Sequence, residues 1–367
     1  MRFLIAGGGT GGHIYPALAI ADALRELQQD AEFLFVGATG RMEMEKVPLA
    51  GYAIEGLDIS GIQRRLTWKN LLVPMKVAGS LIKSVRIIRR FKPDVAIGVG
   101  GYASGPALRA ASWMGVPIIL QEQNSYAGVT NRILARSAAL VCVAWPGMER
   151  FFPNTQIVLT GNPLRAQVNR LEIGAVEARR QLGLHPDRRT ILIMGGSLGA
   201  KALNEAVLHG GSWLAGHPDH QILWQCGQGH VQAYQNTEVA RMDQVSIRPF
   251  LDRMDLAYAA ADVIVARAGA LTISELCQVG KPAILVPSPY VAEDHQTKNA
   301  MALAQAGAAV VIPNDQVEET LFQEIDKLAS DVVLRKSMAA RMSELARPDA
   351  AREIARRILS LIQKTPA

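Results

Sequence analysis

Residues 7–13 read Gly-Gly-Gly-Thr-Gly-Gly-His, between the apolar run Phe3–Ala6 and a helically spaced stretch, Ile14–Gln28. A glycine turn at a helix start leaves backbone N–H groups open to an anion. A neutral imidazole at His13 could serve there as a general base, because a helix N-terminus disfavours the imidazolium. A histidine that only caps the turn fits the same pattern. A second turn of this kind, Gly195-Gly196-Ser197-Leu198-Gly199-Ala200, follows the apolar run Ile191–Met194. A third polar segment, Arg267-Ala268-Gly269-Ala270-Leu271-Thr272-Ile273-Ser274-Glu275, follows Val263–Ala266. Its N–H groups and hydroxyls suit a diphosphate, and a carboxylate one turn on could hold a ribose diol with two hydrogen bonds. Gln121-Glu122-Gln123-Asn124 lies just beyond Val116–Leu120, where open sheets bind ligands. Asn124 and Asn131 could read sugar hydroxyls there, or form a turn and a helix cap. Asp294–Asn299 adds polar groups after Ala283–Val286.

Several familiar chemistries fail on these residues. Gly7-x-Gly9-x-x-Gly12 has the spacing of a dinucleotide fingerprint, but the second strand ends Phe35-Val36-Gly37-Ala38-Thr39 without the acid that would hold a ribose. His13 stands where a Walker A loop needs lysine. No Asp-x-Asp and no HExxH occurs, so neither a metal-bridged diphosphate nor a metal or other cofactor is indicated. One rival survives. Gly195-x-Ser197-x-Gly199 matches a serine-hydrolase elbow, with Asp262 and His295 following in triad order. A non-catalytic nucleotide-sugar-binding protein is a third reading.

These turns require strands and helices to position them. Phe3–Ala6, Phe33–Val36, Val95–Val99, Val116–Leu120 and Leu140–Ala144 read as buried strands. The pattern pauses at Thr160–Pro163 and restarts with Ile191–Met194, Ile222–Gln225, Val263–Ala266, Ala283–Val286 and Ala309–Ile312. Strands alternating with helices imply parallel sheets. The expected fold is α/β: two doubly wound, Rossmann-like domains facing across a cleft, residues 1–161 and 162–345. Residues 346–367 form an amphipathic helix and tail expected to pack back on the first domain.

With 367 residues, 49% hydrophobic and 20% charged, the chain can bury large cores without staples. Three scattered cysteines form no CxxC pair and argue against zinc fingers or a disulfide framework. The first apolar run is too short for a signal-peptide core, and no stretch reaches transmembrane length. Aromatics at 5% disfavour a nucleic-acid stacking platform, so no nucleic-acid partner is expected. Charge is uneven. Between Ile59 and Pro93 there are nine basic residues and no acid, inside a net charge of +6. Lys69, Lys76, Lys83 and Arg90 recur every seven residues, which on a helix makes one basic stripe. With Trp68, Leu72 and Met75 nearby, this stretch is expected to meet an anionic membrane surface.

Taken together, the ordered motifs resemble the MurG family of glycosyltransferases. The matching segments are Gly8–His13, Gly100-Gly101-Tyr102-Ala103-Ser104-Gly105-Pro106, Glu122-Gln123-Asn124, Gly161-Asn162-Pro163-Leu164-Arg165, Gly195–Ala200, Arg267–Glu275 and Asp294-His295-Gln296. Leu198 departs from the family's usual glutamine. The resemblance implies a GT-B fold and inverting transfer of N-acetylglucosamine from UDP-GlcNAc to lipid I, giving lipid II for peptidoglycan. It implies donor contacts from Thr10, Gly11, Gly12, Asn124, Arg165, Ser197, Leu251, Ala270, Leu271, Thr272, Ile273, Ser274, Glu275 and Gln296. Glu275 would hold the ribose, and Asn124 and Gln296 would meet the sugar. His13 would lie near the reacting centre, and Gly100, Gly101, Tyr102 and Ser104 would receive the acceptor. The implied location is peripheral, on the cytoplasmic face of the bacterial plasma membrane, with cell-wall synthesis or division proteins as partners.

Overall fold

The computed structural model describes residues 1–59, 73–164, 168, 171–196, 198–291 and 294–364. Five expected site residues, Trp68, Lys69, Leu72, Arg165 and Ser197, lie outside the described residues.

The first sheet is built from β1 (Arg2–Ala6), β2 (Glu32–Ala38), β3 (Ala53–Leu57), β4 (Val95–Gly98), β5 (Ile118–Glu122), β6 (Leu140–Val143) and β7 (Ile157–Leu159). All its pairings are parallel, in the order β3-β2-β1-β4-β5-β6-β7. Parallel sheets carry helices on both faces, which is why β1 reads as a continuous apolar run. Phe3 and Ile5 enter one core, while Leu4 and Ala6 enter the other, following the two-residue period of a strand. The C-terminal helix Ala350–Lys364 completes the first of these cores. Its Ile354, Ala355 and Ile358 are fully buried with Ile20 and Leu24 of the helix Gly11–Leu27. Arg352 and Glu26 bridge the two helices at 3.1 Å. Residues 1–165 and 347–367 accordingly make one compact unit, and residues 166–346 the other.

The second unit holds β8 (Arg189–Met194), β9 (His220–Gln225), β10 (Val245–Arg248), β11 (Val263–Ala266), β12 (Ala283–Leu285) and β13 (Ala309–Val311). These strands are also all parallel, ordered β10-β9-β8-β11-β12-β13. In each sheet the chain reverses its direction of strand addition once, between β1 and β4 and between β8 and β11. Crevices at such points, beyond the strands' carboxyl ends, are where doubly wound sheets bind ligands.

Three strands escape the sequence reading: β3, β7 and β10. Each is an edge strand, and their residues are mostly half-exposed. An edge strand is buried less, so β3 and β10 are mixed in composition and lack the apolar run of the central strands, while β7, Ile157-Val158-Leu159, is apolar but only three residues long.

Candidate functional site

At the first switch point two glycine turns meet. Gly8 and Gly9, after β1, have φ of +145° and +89°; Gly100 and Gly101, after β4, have φ of +89° and +88°. A side chain on Gly101 would overlap the Gly8 carbonyl oxygen, so the turns touch through bare backbone. His13 sits in the first turn of the helix Gly11–Leu27, whose N-cap residue is Thr10. Its Nδ1 lies 3.1 Å from the Gly8 carbonyl oxygen and 3.3 Å from Thr10 Oγ1. A carbonyl only accepts, so Nδ1 carries the proton of the neutral ring and Nε2 carries the lone pair. The Nε2 edge faces Gly100: a Cβ there would stand 2.9 Å from Nε2. Ser104 is buried and donates its hydroxyl to the Gly101 carbonyl at 2.8 Å, pinning the second turn, while Tyr102 projects into solvent at 56% exposure. The structure thus brings together Thr10, Gly11, Gly12, His13, Gly100, Gly101 and Ser104.

Glu122, at the end of β5, is a buried carboxylate ringed by donors. It accepts the Asn124 and Gly128 N–H groups and the Asn124 and Asn131 side-chain amides, at 2.9–3.2 Å. Burial pushes its carboxyl above the usual range, and these donors pull it back. Asn124 is therefore held by Glu122 in a part-buried loop. The neighbouring Gln121 and Gln123 hydrogen-bond one another. Gln121 also donates to Asn162 Oδ1 at 2.9 Å, and Asn162 donates to the Gln123 carbonyl at 3.0 Å.

In the second unit, the turn after β8 and the helix Ala270–Val279 after β11 flank the other switch point. Gly199 and Gly227 pack backbone to backbone. Leu198 stands 84% exposed at the tip of its turn. In the helix Ala270–Val279 the first regular N–H bond is that of Ile273, to the Gly269 carbonyl at 2.9 Å, so the N–H groups of Leu271 and Thr272 point past the helix start. Glu275 is only 7% exposed, and its Oε2 accepts the hydroxyl of the fully buried Tyr258 at 2.7 Å. Arg267 braces the same edge. It donates to the carbonyls of Val286 and Pro287 at 2.9 and 3.1 Å, and burial lowers its guanidinium pKa. Gln296 accepts the Ser288 N–H at 2.9 Å. Ser274 donates to the Ala270 carbonyl at 3.0 Å. The Leu251 and Ile273 side chains are buried in the protein.

Two residues central to this arrangement carry no motif. Tyr258 orients Glu275 from 17 residues upstream. Glu43 fills the space beneath the first glycine turn, donor-bonded by Gly9 and Ala38. An acid five residues beyond the end of β2 is the sequence signal it leaves.

The described bases of the stripe have partners within the protein. On the helix Val73–Phe91, Lys76 lies 3.2 Å from Asp58, Lys83 donates to the Gly56 carbonyl at 2.6 Å, and Arg90 pairs with Glu55. Each described base of the stripe thus engages β3 or the residues after it. Met75 and Ile82, with Ala78 and Gly79, form the exposed apolar face, and Arg86 and Arg89 continue it. Among the described residues no helix is long and apolar enough to cross a membrane, and no cluster of three His, Cys, Asp or Glu could hold a metal.

The serine-hydrolase triad does not assemble. Asp262 precedes β11, where it accepts Arg179 at 2.7 Å and the Thr190 N–H at 2.8 Å. Thr190 is the second residue of β8 and Gly195 follows its end; five residues at ~3.3 Å each place Asp262 ~16 Å from Gly195, at the amino ends of the strands rather than their carboxyl ends.

Comparison with known proteins agrees. The N-terminal domain of glycosyltransferase family 28 matches residues 3–143, and the C-terminal domain of that family matches residues 190–354. A UDP-N-acetylglucosamine–N-acetylmuramyl-(pentapeptide) pyrophosphoryl-undecaprenol N-acetylglucosamine transferase of Bacteroides fragilis is 47% identical, covering 100% of this chain and 97% of its own. The Cytophaga hutchinsonii protein of that name is 48% identical over 98% and 97%. The crystal structure of Acinetobacter baumannii MurG superposes with a TM-score of 0.76 at 33% identity, covering 99% of each chain. With this identity running end to end, the chain belongs to the MurG family of glycosyltransferases.

Proposed function

We propose that this protein moves N-acetylglucosamine from UDP-GlcNAc to the C4 hydroxyl of the N-acetylmuramyl sugar in lipid I, with inversion, giving lipid II and UDP. The observation that carries the mechanism is the His13 ring, Nδ1 on the Gly8 carbonyl and Nε2 beside Gly100. Nε2 takes the C4 hydroxyl proton as that oxygen attacks the anomeric carbon opposite the diphosphate. The anomeric C–O bond breaks, and UDP leaves with its electron pair. Gly100, Gly101, Tyr102 and Ser104 receive the acceptor. Thr10, Gly11, Gly12, Asn124, Leu251, Gln296 and the stretch Ala270–Glu275 contact the donor, with Glu275 on the ribose. In this reading the unit of residues 1–165 and 347–367 is the acceptor side and residues 166–346 the donor side.

The acceptor is lipid-linked, so the protein must work at a bilayer surface. We place that contact on the cytoplasmic face, through the apolar face of Met75 and Ile82 with the surrounding bases.

A radiolabelled transfer assay with a lipid I analogue tests the reaction. His13→Ala should lower kcat at saturating substrates by about 10²–10⁴, the usual contribution of a general base. Near-full kcat in that variant would place the base elsewhere. UDP-GlcNAc binding without turnover would favour the non-catalytic reading.

A further inference from the structure

We propose that Glu43 is a positioning residue for the transfer reaction, acting on His13 through the peptide that joins Gly8 to Gly9. This rests on the reading of His13 as the base.

Glu43 is 1% exposed. Its Oε1 accepts the Ala38 N–H at 2.9 Å, where β2 ends, and its Oε2 accepts the Gly9 N–H at 2.9 Å. The Gly9 N–H and the Gly8 C=O belong to one trans peptide. Its N–H end meets the carboxylate, and its C=O end meets His13 Nδ1 at 3.1 Å. Carboxylate, peptide and imidazole therefore form one hydrogen-bonded chain. Bonds in such a chain polarise one another, so a carboxylate on the N–H makes the carbonyl a stronger acceptor. The consequence at His13 is a fixed ring orientation and a fixed tautomer, with the proton on Nδ1 and the basic lone pair on Nε2.

The packing supports the assignment. A Cβ on Gly8 would overlap the Glu43 carboxylate, and one on Gly37 would stand 2.5 Å from Glu43 Cγ. Two glycines thus leave room for this one side chain. A buried carboxylate is costly unless its oxygens are satisfied, and both oxygens here are bonded to backbone. Aspartate, one methylene shorter, could not reach both N–H groups from the same backbone. Glutamine has the right length, but its amide would present a donor to one of two donors.

The test combines kinetics with imidazole ¹⁵N NMR, which needs no turnover. Wild-type protein, with His13 assigned by comparison with His13→Ala, should show a protonated Nδ1 and an unprotonated Nε2 at neutral ring charge. Glu43→Gln should mix the tautomers and lower kcat at least tenfold, while the KM for UDP-GlcNAc changes less than twofold. Gly37→Ala crowds the carboxylate without removing it and should act in the same direction; it carries the kinetic test should Glu43→Gln fail to fold. An Nε2-protonated wild-type ring overturns the proposal. So does a folded Glu43→Gln protein with kcat within twofold of wild type. A His13→Ala enzyme of full activity sinks the base assignment instead, and the tautomer experiment still decides whether Glu43 orients the ring.

Discussion

Removing the Glu275 carboxylate should weaken UDP itself, before any sugar or acceptor is involved. The side chain is almost wholly buried, and Oε2 is already held by the Tyr258 hydroxyl at 2.7 Å. A carboxylate so fixed loses little conformational freedom on accepting a ribose hydroxyl, so most of the hydrogen-bond energy appears as affinity. Hydrogen bonds to a charged group are worth about 1.5–3 kcal/mol. At about 1.4 kcal/mol per tenfold, Glu275→Ala should raise the Kd for UDP by about 12- to 150-fold. Tyr258→Phe keeps the carboxylate but frees it to rotate; a neutral hydrogen bond of about 1 kcal/mol predicts an effect near fivefold. Titration calorimetry with UDP reads both. Thermal melting must accompany it, because a loss of about 1 kcal/mol would lower the Tm of a unit this size by roughly 2–4 °C. Unchanged UDP affinity in a folded Glu275→Ala protein would refute the ribose assignment, whatever happened to turnover.

Gly101→Ala should lower both Tm and kcat, since it forces a side chain at φ +88° against the Gly8 carbonyl, a strain of order 1–3 kcal/mol; UDP affinity in calorimetry should hold. All three cysteines are buried, and burial pushes the Cys142 and Cys277 thiols up to about 12. A thiol reagent at pH 8 should therefore find no reactive group until denaturant is added, whereas rapid stoichiometric labelling of native protein would contradict the packing. Transfer should survive exhaustive chelation; its loss, restored by a divalent cation, would show that a metal assists the leaving diphosphate. Sedimentation with anionic vesicles should weaken with salt, and replacing Met75 and Ile82 with aspartate should reduce it more than replacing Lys76 with glutamine, given the Lys76–Asp58 pair. Equal sedimentation of the aspartate variant would move the membrane face elsewhere.

Central strands and glycine turns were legible because each obeys a rule that sequence displays. A strand covered on both faces has to be apolar throughout, as Phe3–Ala6 is. Turns with φ near +90°, such as Gly100-Gly101, favour glycine. Edge strand β3, Ala-Ile-Glu-Gly-Leu, obeys neither rule. The seven-residue recurrence of Lys76, Lys83 and Arg90 correctly places them on one helical face, but a period says nothing about what that face meets. Glu55 and Gly56 of β3 and Asp58 just after it meet that face, and β3 carries no sequence signal of its own. Similarly, Gly195-x-Ser197-x-Gly199 with Asp262 and His295 satisfied an order along the chain. Strand register puts Asp262 at the amino ends of the strands, away from the turn that follows β8.

The two glycine turns look alike in sequence, yet their surroundings suit them to different work. In the first, the Gly9 N–H is committed to Glu43, and a carboxylate lies directly beneath the backbone. That N–H is therefore not available to an anion, and the peptide serves His13 through the Gly8 carbonyl instead. In the second unit, the start of the helix Ala270–Val279 directs the Leu271 and Thr272 N–H groups outward, with no acid in its first turn. The helix dipole there adds roughly 0.3–1 kcal/mol for an anion, and up to about 2 when partly buried. The Gly8–Gly9 peptide is thus suited to holding the base at the first switch point, and the helix start at the second to holding an anion. This is the division that inverting transfer from a nucleoside-diphosphate sugar requires.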